Sequence, residues 1–158
     1  MNGIVGDKAD ETGKGVVGAR RGSGQNVDVY CYSDGARAKG EFQVLDYNTG
    51  EEATSPAMID PSAFAVYQEV GVVLEALTEA GYGWVRVAGI CDALVDGTTD
   101  VAKGDYLESL ATISVVKDHS TVRSVNSVAV ALEAQTEAGS GTLASVEVLP
   151  GVSIIAGS

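Results

Sequence analysis

The sequence predicts a mainly β protein, and three observations predict it. Apolar and polar residues alternate with period two over several short runs. Asp-Gly and Lys-Gly pairs punctuate those runs as turns. A unit of about sixty residues also occurs twice. Leu74-Glu75-Ala76-Leu77-Thr78-Glu79-Ala80-Gly81-Tyr82-Gly83 returns fifty-eight residues later as Leu132-Glu133-Ala134-Gln135-Thr136-Glu137-Ala138-Gly139-Ser140-Gly141, with eight of ten positions identical. Upstream, Asp34-Gly35 with Ala38-Lys39-Gly40-Glu41-Phe42 parallels Asp96-Gly97 with Ala102-Lys103-Gly104-Asp105-Tyr106. The expected architecture is a barrel-like or tulip-like body built from two duplicated units, about 27–90 and 91–158. A flexible Gly-rich N-terminal arm over 1–26 precedes it, and at most one or two short helices are expected.

The arm is read from composition. Residues 1–26 hold seven glycines, no aromatic residue, and only Ile4, Val5, Val16 and Val17 as larger aliphatic groups. Too little apolar surface is available there to offset the entropy of ordering the backbone. From Val27 onward, Val27, Val29 and Cys31 alternate with Asp28, Tyr30 and Tyr32, and Asp34-Gly35 ends the run as a turn. Phe42 and Val44 resume the alternation, and the polar run from Asn48 to Ser55 is a loop.

Residues 61–77 admit either helix or strand. Asp60-Pro61 suits a helix start and Leu74-Glu75-Ala76-Leu77 has helical propensity. The duplicate argues the other way, because Val128, Val130 and Leu132 form a period-two row before the second copy. Equivalent sequence should fold equivalently, so both Leu-Glu-Ala segments are expected as strands, each followed by a Thr-Glu-Ala-Gly-x-Gly hairpin loop. Trp84-Val85-Arg86-Val87 and Ser145-Val146-Glu147-Val148 are the returning strands, and a short helix near 61–67 is compatible with Phe64 and Tyr67. Val152, Ile154 and Ile155 end the chain as an apolar segment able to complete the sheet or to cross to a neighbouring subunit. Units this small should share one core, and closing or pairing the sheet edges would avoid open strands.

The chain of 158 residues fits one domain and is 45% apolar, so global disorder is excluded. The longest apolar stretches are about five residues, far short of a membrane span, and no secretory leader opens the sequence. A soluble protein made in a cytoplasm is expected. The net charge of −12 is uneven: residues 1–26 balance at +1 and the remainder at −13. An acidic body disfavours nucleic acid and anionic membranes as partners. Cys31 and Cys91 occupy roughly matching places in the two units, are too few for a disulfide framework, and are expected reduced.

Catalytic and cofactor signals fail on context. Gly13-Lys14-Gly15-Val16-Val17-Gly18 matches a dinucleotide pattern by letter, but neither a strand leads into it nor a helix out of it. As a phosphate loop it lacks both the spacing from Gly6 and the hydroxyl after the lysine. His119, the single histidine, is expected in a polar loop and cannot by itself build a zinc site. Asp92, Asp96, Asp100 and Asp105 could offer oxygens to calcium, but their spacing fits no calcium loop and turn formation accounts for them. Lys39 and Lys103, each in Ala-Lys-Gly, resemble the lysine of biotinyl and lipoyl carrier domains, without the flanking residues those domains use. No enzyme, cofactor or metal is expected.

Segments Gly97–Asp105 and Val128–Ala134 together resemble the head decoration, or cement, proteins of tailed bacteriophages. In that family an Ala-Lys-Gly-Asp turn precedes an apolar strand, and a Val-Ala-Leu-Glu-Ala strand ends in a Gly-rich loop and a final strand. The likeness spans roughly residues 85–150, with a diverged echo over 30–90. It implies a homotrimer on the outer surface of an icosahedral capsid, with the major capsid protein as partner and the virion as location. It also implies a grip by the N-terminal arm, for which Val16, Val17, Arg20 and Arg21 are the interface candidates. A fibre or receptor-binding knob is the alternative and would display Trp84 and some of the six tyrosines as a binding platform.

Overall fold

The computed structural model describes residues 18–46, 57–59, 69–96, 100–109, 116–123, 127–136 and 141–150. The fold is mainly β, as the alternation predicts, and no helix occurs among the described residues. Ten strands run in order: β1 (Arg20–Ser23), β2 (Asn26–Ser33), β3 (Phe42–Asp46), β4 (Ala57–Ile59), β5 (Glu69–Val73), β6 (Gly81–Asp96), β7 (Tyr106–Ser109), β8 (Val116–Ser120), β9 (Ser127–Ala131) and β10 (Thr142–Val148).

The duplication is a duplication of hydrogen-bonding pattern. In the first unit the ladder passes β2-β4-β3-β5-β6, with β6 also pairing β2. In the second it passes β8-β7-β9-β10-β6, with β6 also pairing β8. The first half of β6 therefore does in unit one what β10 does in unit two, and its second half does what β2 does. Registers agree residue by residue: Cys31↔Gly83 and Val29↔Val85 correspond to Ala93↔Ala144 and Cys91↔Val146. Phe42↔Val72 likewise corresponds to Tyr106↔Val130. Both units contain one parallel pair, Ser33↔Met58 and Val95↔Val116.

The strands do not close into a single barrel, which corrects the expected barrel-like body. The cause is β6, whose 16 residues belong to both ladders. It hands pairing from β2 to β10 at Ala88 and Gly89, so the sheet continues into the second unit instead of enclosing one common core. Gly89 has φ +99°, and a Cβ there would stand 2.2 Å from Asn26 Oδ1 and 2.8 Å from Asn26 Cα. Asn26 in turn accepts the Ile90 N–H at 2.9 Å. Only a residue without a side chain can make this pivot.

The core is likewise not the one shared core of the expectation. One cluster, with Val29, Cys31, Leu45, Val73, Leu77, Val85 and Val87, belongs to the first unit alone. The other joins Phe42, Val44, Val70 and Val72 of the first unit to Leu107, Val128, Val146 and their neighbours in the second. Alternation along β3 and β5 sends successive side chains to opposite faces, so one strand pair feeds both clusters.

Both Leu-Glu-Ala segments behave alike, as equivalence requires, but neither is a strand. β5 ends at Val73 and β9 at Ala131, and the chain bends through the next residues to isolated bridges, Arg37↔Leu77 and Val101↔Gln135. The bend has a partner: the Leu74 N–H donates to the Trp84 carbonyl and the Leu132 N–H to the Ser145 carbonyl. His119 lies on β8 rather than in a loop. The cysteines are not equivalent, since register aligns Cys31 with Ala93 and Cys91 with Val29. Of the 1–26 stretch, Arg20–Ser23 and Asn26 are in the sheet, paired through β1 and β2. Residues 1–17, the 61–67 helix and the 152–155 segment lie outside the described residues.

Gly89→Ala is expected to lower unfolding free energy by about 3 kcal/mol, from the positive φ and the contact with Asn26. Urea denaturation measures it, and a change below about 1 kcal/mol would mean β6 does not need the pivot.

Candidate functional site

β2 and the first half of β6 turn Val29, Cys31 and Val85 inward, so alternation puts Asp28, Tyr30 and Tyr32 on the opposite face, beside Tyr82, Trp84 and Arg86. These six pair directly across the ladder as Asp28↔Arg86, Tyr30↔Trp84 and Tyr32↔Tyr82. Tyr30 and Trp84 ring centroids are 5.1 Å apart, and Tyr32 and Tyr82 centroids 5.2 Å apart. β1 adds Arg21, which stands opposite Asp28.

Asp28 is bracketed by two guanidinium groups. Arg86 donates to it through Nε at 2.7 Å and Nη2 at 3.2 Å, and Arg21 through Nε at 3.0 Å. The bond to Asp28 raises the Arg86 pKa above its ordinary value, which keeps it charged. Arg86 also donates to the Ile90 carbonyl, tying the two halves of β6 together. Arg21 lies 4.1 Å over the Trp84 ring, a cation–π contact that covers the indole. Charge and aromatic packing here form one network, and Asp28 is its only described anion.

Beside it lies a cleft of ≈ 310 Å³ lined by Arg21, Lys39, Leu74, Glu75, Arg86, Cys91 and Asp92. It forms where the Ala38-Lys39-Gly40 turn of the first unit meets the opening strand of the second. Its one lining thiol is Cys91, pushed up to about 12, chiefly by burial. Burial also raises Cys31 well above the usual thiol range. Both thiols are therefore protonated at neutral pH, and a thiol is a poor nucleophile.

The interface candidates from the sequence fall as follows. Arg20 makes a two-bond ion pair with Glu69, at 3.1 and 2.6 Å, and Arg21 is held by Asp28 and Trp84. Both arginines thus fasten β1 to the sheet. Val16 and Val17 lie outside the described residues. Of the proposed aromatic platform, Trp84 and Tyr30 are each 1% exposed, while Tyr32, Tyr82 and Tyr106 are half-buried. Asp105 accepts the Ala102 N–H at 2.9 Å and completes its turn. Asp92 and Asp100 are exposed, and no cluster able to hold a metal occurs among the described residues. Lys39 and Lys103 are exposed at equivalent turns.

Sequence reading did not find the Arg21–Asp28–Arg86 network. Its signal is a charged pair, Asp28 and Arg86, inside strands otherwise rich in apolar and aromatic residues. The second unit has lost it: register places Ile90, Asp92 and Leu94 where the first unit has Asp28, Tyr30 and Tyr32. Leu143, Ser145 and Glu147 stand where it has Tyr82, Trp84 and Arg86. Ile90 and Leu143 are 49% and 46% exposed.

No protein-family model and no curated protein matches this sequence. Among solved structures, it is similar to the N base of head fiber gp8.5 of bacteriophage phi29. The identity is 12%, over 78% of this chain and 94% of that one, with a TM-score of 0.49. At that TM-score and identity the likeness carries no information on activity or partners. No helix among the described residues is long and apolar enough to cross a membrane.

Arg86→Ala should cost about 3 kcal/mol of stability, because it strips two of the three bonds from a buried carboxylate; thermal and urea unfolding measure it. A second expectation concerns pH. A thiol raised from 9.0 to about 12 on folding leaves the unfolded chain the stronger acid. Stability from Cys91 is then complete below pH 9.0 and falls as pH rises through that window. Cys91→Ala should flatten the alkaline decline relative to wild type, and parallel curves for the two proteins would refute the assignment.

Proposed function

We propose that this chain is a structural virion protein: a decoration, or cement, protein that binds the outer surface of an icosahedral phage head as a trimer and stabilises it. One observation carries most weight. The two segments that bear the resemblance to phage decoration proteins are far apart in sequence yet form one hydrogen-bonded motif. The Gly104 N–H donates to the Ala131 carbonyl at 2.8 Å, and the Ala131 N–H to the Asp105 carbonyl at 2.9 Å. Val101 and Gln135 exchange both backbone bonds at 2.9 Å. The motif letters are thus read by backbone geometry, which suits an architectural role rather than an active centre. The protonated thiols and the fully engaged Asp28 network point the same way.

In this reading the major capsid protein is the partner. The N-terminal arm supplies the grip, with Val16 and Val17 as apolar contacts and Arg20 and Arg21 at its root. An arm that orders on binding adds contact area at an entropic cost, and three linked copies convert weak single contacts into stable attachment.

Deleting residues 2–17 leaves β1 and its arginines intact, so the protein should fold and melt as wild type while losing sedimentation with empty capsids. Normal coating by the truncated protein would refute the arm. Binding to a host-surface glycan with no binding to capsids would favour the fibre or knob instead.

A further inference from the structure

The second unit leaves one stretch of strand edge unpaired. Along a strand, alternate residues present their N–H and C=O groups to opposite edges. On β6 the Ile90 N–H donates to Asn26 Oδ1 at 2.9 Å and the Leu94 N–H to the Gly40 carbonyl at 2.8 Å. Both bonds lie on the edge away from β10. Asp92 stands midway between them, so its N–H and C=O face that same edge. β8 joins the edge only at Val95 and Asp96, and no bond to the Asp92 backbone occurs there among the described residues.

In the first unit the equivalent residue is Tyr30, and its edge is filled. The Tyr30 N–H donates to the Ala19 carbonyl at 2.9 Å, and the Gly18 N–H donates to the Tyr30 carbonyl at 2.8 Å. Two small residues leading into Arg20 and Arg21 thus complete that unit. The second unit has no such lead-in, because the stretch before it is the first half of β6, already paired with β2 and β5. At its place lies the ≈ 310 Å³ cleft that Cys91 and Asp92 line.

The lining charges define the occupant. Arg21 and Arg86 are engaged by Asp28. Lys39, Glu75 and Asp92 are exposed, with no side-chain hydrogen bond or ion pair among the described residues. One carboxylate is therefore in excess, and two backbone groups want partners. An extended segment of small residues carrying one cation answers both needs. Gly13-Lys14-Gly15 has that form.

We propose that Gly13-Lys14-Gly15 of a second copy of this chain docks in the cleft, pairing its backbone with Asp92 as Gly18 and Ala19 pair with Tyr30. Lys14 then meets Glu75 and Asp92 in charge-assisted contact. The source is a second copy because the chain enters β1 from the end remote from the Gly89 pivot: Gly18 bonds Tyr30, whereas Ser23 pairs with Asn26 beside the pivot. The contact is head-to-tail, so it closes into a ring when the rotation per copy divides a full turn and otherwise extends. It rests on the proposed function only for the number three, since nothing in the contact requires a capsid.

Light scattering on the full chain over a concentration series tests it, together with a photo-crosslinking amino acid at position 14. The wild type should self-associate reversibly. In a mixture of isotopically light and heavy chains, crosslinks should join different copies at peptides carrying Glu75 or Asp92. Lys14→Glu and Glu75→Lys should each weaken association by roughly fivefold or more, and the double variant should recover part of the loss. Glu75→Lys, at an exposed position, should leave the melting temperature unchanged. A monomeric wild type, crosslinks within one chain or confined to other surfaces, or a double variant no better than the single ones would each overturn the proposal. Capsid sedimentation is scored separately on the same samples, so loss of the oligomer and loss of capsid affinity are told apart.

Discussion

Everything in this fold is arranged around the sharing of β6. A strand can hydrogen-bond along two edges only, and β6 divides its length between two ladders to serve four partners besides its own continuation: β2 and β5 with one half, β10 and β8 with the other. The handover needs a residue at positive φ that tolerates the Asn26 backbone within 3 Å, which explains Gly89. It also fixes the distance between units. The Arg86 guanidinium reaches from Asp28 on the first ladder to the Ile90 carbonyl on the second, and the Gly40 turn rests on Leu94. The two units are thereby held as one body, with one core cluster spanning the junction and another inside the first unit.

The repeat was readable in sequence because backbone geometry preserves it. Gly40 and Gly104 survive in both copies since each holds a positive φ, and Ala38 and Ala102 since each offers the carbonyl that closes the turn. The bend at Leu74 and Leu132 was not readable as such. Its residues favour helix, its surroundings favour strand, and its true state depends on carbonyls of Trp84 and Ser145 that only the folded ladder brings near. Comparing copies correctly showed that the two segments are alike without showing what they are. Periodicity also cannot report that a strand is shared, because β6 looks in sequence like two ordinary strands joined end to end. That is why the mainly β character was legible and the closure was not.

The side-chain network was missed for a different reason. Alternation sorts residues by face, and it placed Asp28, Tyr30 and Tyr32 together on the face away from the core. It does not say whether that face is wet. Here Tyr30 and Trp84 are buried although they point away from the inner cluster, because Arg21 lies across the indole and the rings pack on one another. The cover comes from β1, part of a segment whose glycine content reads as disorder. Arg20 and Arg21 carry the difference: composition averaged over residues 1–26 hides two arginines with partners on β5 and β2.

Divergence between copies then becomes informative in its own right. Inward positions Val29, Cys31 and Val85 correspond to Cys91, Ala93 and Val146, so apolar residues recur there, where each unit must still pack. Positions facing outward do not: Asp28, Tyr30 and Trp84 correspond to Ile90, Asp92 and Ser145. A constraint that acted only on folding would leave no reason for one outward face to hold a buried ion network and the other exposed Ile90 and Leu143. The first unit has used its outward face to bind β1, and the second has used part of its own to receive the Gly40 turn. What differs is therefore the neighbour each face serves. The Gly104 turn keeps the positive φ and internal bonding of its twin at an exposed place, where a Cβ would meet nothing within 4 Å.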